Sequence, residues 1–277
     1  MTDKYAVIGN PVAHSKSPLI HAEFARQTGQ DISYTTILAP LDGFRKTVSK
    51  FRDEGGRGMN VTLPFKHEAW TLVDGHTGYA LEANAVNTIE VIDGRMVGHN
   101  TDGTGLVRDI KDNLKFQIQG KRVLLMGAGG ATYGVMHPLL SERPGTLVVA
   151  NRTLDKAVSL VAHFRKFWNF APEGVSAQSY QQLSGAQFDL VINATSAGLS
   201  DAMPHLPDSV FAAGALAYDM VYGKTTPFLR FAQAHGARVA DGTGMLVEQA
   251  AESFFIWRGV RPRTAPVIEL IRRNAEA

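Results

Sequence analysis

The 277-residue chain contains no cysteine, which excludes a disulfide framework, a thiolate metal site and a cysteine nucleophile, and which fits a reducing cytoplasm. It also lacks a strong charge of either sign. With 28 Lys and Arg against 26 Asp and Glu the net charge is only +2, too little for a surface given over to nucleic acid or anionic membrane. Long hydrophobic runs are missing as well. Val123 to Met126 and Phe254 to Trp257 fall far short of the ~20 apolar residues of a membrane helix. The N-terminus reads as a strand over Tyr5–Ile8, not as a signal peptide. The nine histidines show no metal spacing: Thr71 stands where a zinc-protease helix beginning at His67-Glu68 would need histidine. What is left is an ordinary globular composition, 44% hydrophobic and 19% charged, with a length that at roughly 150 residues per domain predicts two domains. The expected partner is a small molecule, with no nucleic acid, no membrane and no metal, and the expected assembly is a monomer or a homodimer.

Short β-branched runs alternate with amphipathic stretches, the pattern of an α/β chain with parallel strands covered by helices. Tyr5–Ile8 is followed by Ser17-Pro18, read as an N-cap and first helical residue, and by a stop at Gly29. Tyr34–Leu38, Gly58–Leu63 and Thr88–Ile92 read as strands, the last turning through Asp93-Gly94 into a hairpin with Met96–Val97. Leu106, Ile110 and Leu114 lie on one helix face. Further strands are expected over Arg122–Met126, Thr146–Ala150, Phe188–Asn193, Leu216–Asp219 and Ala237–Ala240, and helices over Met245 to Trp257 and Ala265 to Asn274.

The most specific local signal is Gly127-Ala128-Gly129-Gly130-Ala131 directly after a strand. Such a turn lets the backbone approach a pyrophosphate seated on the next helix N-terminus. The third glycine of the usual fingerprint is replaced by Thr132, so a glycine-rich turn without a ligand is the competing reading. At the end of the next strand an NAD-binding unit carries an acidic residue, whereas this chain has Asn151-Arg152-Thr153. Arg152 can fork onto a 2′-phosphate with Lys156 adding charge, which points to NADP; without the glycines Arg152 would read as a surface arginine. Gly223-Lys224-Thr225 resembles a P-loop ending, but Tyr218 occupies the place of its first glycine.

Ser15 and Ser17 bracket Lys16 at a helix start, where hydroxyls and free N–H groups suit a carboxylate, although Ser17 alone would serve as a helix cap. Asn60 and Thr62 share one face of a strand, and Lys66 follows its end, the side on which ligands gather in open α/β sheets. Asn87 and Asn100-Thr101-Asp102 add polar groups at other strand ends. A lysine and an aspartate meeting there would make an acid/base pair; apart, both are ordinary surface charges.

These segments, with Gly9-Asn10-Pro11, His14-Ser15-Lys16-Ser17-Pro18, Asn60-Val61-Thr62, Pro64-Phe65-Lys66, Ala85-Val86-Asn87-Thr88, Asn193-Ala194-Thr195-Ser196 and the run from Asp241-Gly242 through Gly244 to Ala250, resemble the shikimate dehydrogenase family over essentially the whole chain. The resemblance implies reversible NADPH-dependent reduction of 3-dehydroshikimate to shikimate, a step of aromatic amino-acid biosynthesis. It implies a discontinuous α/β substrate domain, residues 1–101 with 242–277 returning to it, and a Rossmann-type doubly wound NADP domain over 102–241. It further implies that Ser15, Ser17 and Tyr222 bind the substrate carboxylate and that Asn60, Thr62, Asn87, Asp102 and Gln249 hold its ring hydroxyls. Lys66 would be the acid/base paired with Asp102, and Thr195, Met220 and Gly242 would line the nicotinamide side. Tyr133, where a basic residue is common, Thr243, where leucine is usual, and Asn84, replacing a common glycine, depart from the pattern. The alternatives are a quinate/shikimate dehydrogenase-like paralogue and, from another class, a non-catalytic NADP-binding sensor. A sensor has no need of Lys66 and Asp102. Methylenetetrahydrofolate dehydrogenase shares a two-domain plan but leaves Ser15, Ser17 and the Asn-Val-Thr run unexplained.

Overall fold

The computed structural model describes residues 2–167, 174–195, 202–203 and 205–276; Ser196 of the Asn193-Ala194-Thr195-Ser196 motif lies outside them. The chain divides into two compact units, Met1–Gly105 with Val247–Asn274, and Leu106–Leu246 with Ala275–Ala277. Among the described residues no helix is long and apolar enough to cross a membrane.

The first unit runs β1 (Asp3–Gly9), α1 (Ser17–Thr28), β2 (Ile32–Leu38), α2 (Phe44–Asp53), β3 (Gly56–Val61), α3 (Lys66–Leu72), β4 (Gly75–His76), α4 (Gly78–Ala83), β5 (Thr88–Ile92), β6 (Arg95–His99) and the start of α5 (Asp102–Arg108). Its sheet has the order β2-β1-β3-β5-β6-β4. β1 pairs parallel with β2 and β3, and β5 pairs antiparallel with β3 and β6. The β5–β6 hairpin forms as expected: Asp93 and Gly94 take φ of +49° and +79°, as a two-residue turn with matching twist requires. Gly29 at φ +64° ends α1. The start of α1 corrects the sequence reading. Ser17 is the first helical residue and Lys16 takes the cap position, while Ser15 Oγ accepts the Ser17 N–H at 3.3 Å. A hydroxyl two residues upstream therefore satisfies the orphan donor.

The second unit continues with a wide helical turn over Asp109–Asn113, then β7 (Arg122–Met126), α6 (Gly130–Ser141), β8 (Thr146–Ala150), α7 (Leu154–Arg165), β9 (Val175–Gln178), β10 (Phe188–Asn193), β11 (Phe211–Asp219), α8 (Pro227–Ala234) and β12 (Arg238–Ala240). α9 (Thr243–Arg258) and α10 (Ala265–Glu276) close the chain. Six parallel strands lie in the order β12-β11-β10-β7-β8-β9, the doubly wound arrangement whose crevice lies at the strand carboxyl ends. The strand sequences explain it. Along β7, Val123 and Leu125 enter one buried cluster with Leu147, Val149, Leu190 and Ile192, while Leu124 and Met126 enter another with Val148, Ala150 and Val191. Continuous apolar runs are what a sheet covered on both faces needs.

In the first unit one face of the sheet buries Ile8, Met59, Val61 and Ile89 with Phe44, Val48 and Phe65. On α9, the Trp257 ring stacks on Tyr5 with centroids 4.7 Å apart and its Nε1 donates to the Ile89 carbonyl at 3.1 Å. Gly58 on β3 makes this approach possible, because a Cβ there would collide with Trp257 Nε1. We expect Gly58→Ala to lower unfolding free energy by about 1–3 kcal/mol, the usual cost of overpacking, read from urea denaturation; an unchanged midpoint would mean the indole shifts without losing its bond.

Candidate active site

Within the first unit, Lys66 opens α3 and Asp102 opens α5. Lys66 Nζ donates to Asp102 Oδ2 at 2.6 Å, with side-chain exposures of 30% and 13%. The ammonium can therefore meet a ligand while its partner is largely sheltered. The other carboxylate oxygen, Oδ1, accepts Asn87 Nδ2 at 2.8 Å. The Asp102 N–H is bound by Asn100 Oδ1 at 3.2 Å, and a carboxylate in a helix first turn also gains from the dipole. The backbone holds the three segments together: the Val86 N–H donates to the Lys66 carbonyl at 2.9 Å, Val61 N–H to Asn87 O at 2.8 Å, and Asn87 N–H to His99 O at 3.1 Å.

The sequence-predicted polar residues are distributed around this group as follows. Asn60 is buried, and its Oδ1 accepts the Tyr34 hydroxyl at 2.7 Å. Its Nδ2 faces Asn87 O at 3.3 Å, Thr88 Oγ1 at 3.1 Å and Ser253 Oγ at 3.0 Å, more acceptors than it has hydrogens. Gln249 on α9 reaches the group through Thr101, whose Oγ1 lies 3.5 Å from Gln249 Oε1. Thr62 follows β3 with its N–H on Ile8 O at 2.9 Å and remains part-exposed. Ser15 is part-exposed and Ser17 buried, the latter touching the group at Tyr34. The sequence assigns Tyr34 and Ser253 no role, Thr88 a place only in the Ala85-Val86-Asn87-Thr88 motif, and Thr101 only that of a polar group at a strand end. The i, i+4 spacing of Gln249 and Ser253, which puts both on one helix face, is the one signal in the sequence that links Ser253 to the site.

The second unit carries the glycine turn. Gly127 has φ +104°, a conformation that needs glycine, and its N–H donates to Ala150 O at 2.8 Å. Thr132 Oγ1 donates back to Gly127 O at 3.0 Å. α6 begins at Gly130, and a Cβ built on Gly129 or Gly130 meets nothing within 4 Å. The glycines thus leave open space at the N-terminus of a 12-residue helix, the shape a pyrophosphate requires. At the end of β8, Asn151 Nδ2 donates to Thr153 O at 2.8 Å, and Arg152 and Lys156 are exposed. Tyr180, which the sequence does not mark, stands within reach of the Arg152 charge: burial pushes its hydroxyl up to about 12 against the opposing charge of Arg152.

Thr195, Met220 and Gly242 follow the carboxyl ends of β10, β11 and β12. Thr195 Oγ1 donates to Asn193 Oδ1 at 2.7 Å, and Asn193 Nδ2 donates to the buried Asp219 at 3.1 Å. Met220 N–H donates to Asn193 O and Gly242 N–H to Val221 O, each at 3.0 Å. Tyr222 is 40% exposed, beside Gly223, whose N–H donates to Asp241 Oδ2 at 3.0 Å.

The departures from the family pattern have local explanations. Asn84 ends α4 at φ +49°, which asparagine tolerates better than most residues. Thr243 donates its hydroxyl to Asp241 Oδ2 at 2.8 Å. The Tyr133 ring packs edge-on to His163 at 5.4 Å and tilts against Phe164 at 5.9 Å.

Three family models match stretches of the chain. Residues 7–89 match the shikimate dehydrogenase substrate binding domain, 109–200 the shikimate/quinate 5-dehydrogenase model, and 242–272 the shikimate 5′-dehydrogenase C-terminal domain. The NADP⁺ shikimate dehydrogenase of Nitrosospira multiformis is 59% identical over 99% of this chain and 98% of its own length. The chain belongs to the shikimate dehydrogenase family. Among solved structures of that fold, an Ael1 enzyme from Pseudomonas putida superposes with a TM-score of 0.92 at 47% identity, covering 97% of this chain and 98% of that one. Shikimate 5-dehydrogenase from Thermus thermophilus, solved with NADP(H) and shikimate, has a TM-score of 0.87 at 34% identity, covering 99% and 100%.

Proposed function

We propose that this chain is an NADP-dependent shikimate dehydrogenase that reversibly reduces 3-dehydroshikimate to shikimate in aromatic amino-acid biosynthesis in the cytoplasm. The observation that carries the chemistry is the 2.6 Å pair of Lys66 and Asp102, with Asn87 holding the second carboxylate oxygen. NADPH, when bound, supplies the hydride. In the reductive direction the substrate carbonyl oxygen gains negative charge, and the Lys66 ammonium donates its proton to it; in the oxidative direction neutral Lys66 takes the proton from the hydroxyl. Asp102 holds the Lys66 side chain in place through both half-reactions.

Ser15 and Ser17, with Tyr222, bind the substrate carboxylate, through neutral hydroxyls that do not repel an anion. Asn60, Thr62, Asn87, Asp102 and Gln249 hold the ring hydroxyls. The substrate domain comprises residues 1–101 with 242–277, and the NADP domain 102–241. Gly127, Ala128, Gly129, Gly130 and Ala131 seat the pyrophosphate at the start of α6, and Asn151, Arg152, Thr153 and Lys156 take the 2′-phosphate. Thr195, Met220 and Gly242 line the nicotinamide side.

Steady-state rates of shikimate and quinate oxidation with NADP⁺ and NAD⁺ test the assignment: kcat/KM is expected to be highest for shikimate with NADP⁺, and preference for quinate or for NAD⁺ would overturn it. Lys66→Ala should lower kcat by roughly 100- to 10,000-fold, the range for a positioned acid/base, with a much smaller change in shikimate KM. A folded variant with wild-type kcat would remove Lys66 from the reaction. Arg152→Ala should weaken NADPH binding by about 1.5–3 kcal/mol, the range for hydrogen bonds to a charged group, and leave NADH nearly unaffected. Equal losses for the two cofactors, measured by fluorescence titration, would mean that Arg152 acts through the fold.

A further inference from the structure

We propose that the part-buried Tyr34 and the buried Asn60, Thr88 and Ser253 form a directional hydrogen-bond relay that fixes the orientation of the Asn87 amide and, through it, the Asp102 carboxylate that holds Lys66. The proposal rests on the assignment of Lys66 and Asp102 as the reacting pair, and it names positioning residues outside that pair.

The direction of the relay follows from counting hydrogens. The Tyr34 hydroxyl has one, and donates it to Asn60 Oδ1 at 2.7 Å. This turns Asn60 Nδ2 toward Thr88 Oγ1 at 3.1 Å and Ser253 Oγ at 3.0 Å. Thr88, accepting from Asn60, donates its own hydrogen to Asn87 Oδ1 at 2.9 Å. The Thr101 N–H donates to the same oxygen, also at 2.9 Å. With Oδ1 held by two donors, Asn87 must direct Nδ2 to Asp102 Oδ1 at 2.8 Å and to Thr101 Oγ1 at 3.0 Å. A reversed amide would bring two acceptor oxygens together at Asp102 and would set Nδ2 against the donors of Thr88 and Thr101. The polarity set at Tyr34 is therefore carried along the chain to the carboxylate.

Ser253 closes the relay from α9. Its Oγ accepts from Asn60 Nδ2 and, since Thr88 gives its one hydrogen to Asn87, donates to Thr88 Oγ1 at 2.8 Å, with the Gln249 carbonyl 3.1 Å away. Thr88 and Ser253 are both fully buried, so water has no access to replace a lost hydroxyl, and each missing bond leaves a neighbour unsatisfied. At the far end of the relay the part-buried Tyr34 packs against aromatic rings. His21 stacks on Tyr34 with centroids 4.2 Å apart at 7°, and Phe254 and Trp257 stand beside it. Desolvation holds the His21 pKa down to about 3, against a smaller opposing effect of Asn60. The ring stays neutral, and no cation competes for the Asn60 oxygen.

The test compares Thr88→Val, which keeps the shape and removes the hydroxyl, with Thr88→Ser, which keeps the hydroxyl. In shikimate oxidation, with Lys66→Ala as reference, Thr88→Val should lower kcat about tenfold, the rate equivalent of one hydrogen bond, with both KM values within about twofold of wild type. Thr88→Ser should restore kcat to within about twofold. Tyr34→Phe, which deletes the first donor, should repeat the Thr88→Val result and carries the test where Thr88→Val does not fold. Wild-type kcat in Thr88→Val and Tyr34→Phe, a loss in KM alone, or equal losses in Thr88→Val and Thr88→Ser would each overturn the relay. If Lys66→Ala loses activity in the same experiment, the functional assignment survives that failure; if wild type does not oxidise shikimate, the assignment itself fails.

Discussion

A half-buried carboxylate can hold an ammonium group in one place only if its remaining oxygen is also satisfied, because burial removes the water that would otherwise solvate it. Asp102 meets that condition through a single neutral donor, Asn87. Its position depends on the sheet of the first unit. Asn87 directly precedes β5, its carbonyl is taken by Val61 at the end of β3, and its N–H reaches the end of β6. β5 runs antiparallel between β3 and β6, which share one direction, and so brings its own start together with their two ends. A uniformly parallel sheet would place strand starts and strand ends at opposite edges.

The second unit solves a different problem with a uniformly parallel sheet. Its central strands β7 and β8 are apolar on both faces, so their interiors have no polar groups to offer a ligand, and polar residues such as Asn193 and Asp219 stand where neighbouring strands end. Asn193 illustrates this. It is the last residue of β10 and it is buried, and it places Thr195 on one side while being held by the Asp219 carboxylate on the other. In both units a buried asparagine connects a carboxylate to the strand ends. An amide suits that place because it donates and accepts at once without carrying charge.

Elements fixed by local chemistry were legible in the sequence. The β5–β6 hairpin follows from Asp93-Gly94, the end of α1 from Gly29, and the parallel sheet from its runs of branched residues. β9, with the sequence Val-Ser-Ala-Gln, has no such signal and is held as a strand by pairing with β8. β4, α2, α3, α4 and α8 were likewise unread, being short or set by tertiary contacts. At the site, Lys66 and Asp102 could be singled out by their places after strand ends, but their meeting across 36 positions of sequence could not. The part played by Asn60 was legible least. Alternation puts Asn60 and Thr62 on one face, yet what Asn60 bonds to is decided by Tyr34, Thr88 and Ser253, the last 193 positions away. Ser17 was misread for a related reason: a serine before proline looks like a cap, whereas the loop geometry gives that task to Ser15.

The three departures from the family pattern separate shape from charge. Asn84 substitutes for glycine in a turn, a requirement of backbone shape that asparagine can meet. Thr243 substitutes for an apolar residue, and its hydroxyl joins Asp241, which also holds the loop at Gly223 beside Tyr222. These two changes are absorbed where they occur. Tyr133 is different, because a phenol packed against His163 and Phe164 cannot return the positive charge that a basic residue would carry at the first turn of α6. On the proposed reading, charge recognition of the dinucleotide in this chain falls more heavily on Arg152 and Lys156, which follow β8 and remain exposed. Exposed groups are screened by salt more than sheltered ones. On the same reading, cofactor affinity in this chain is expected to depend on ionic strength, while the Lys66–Asp102 pair, built in the first unit from a carboxylate, an amide and an ammonium, does not involve Tyr133.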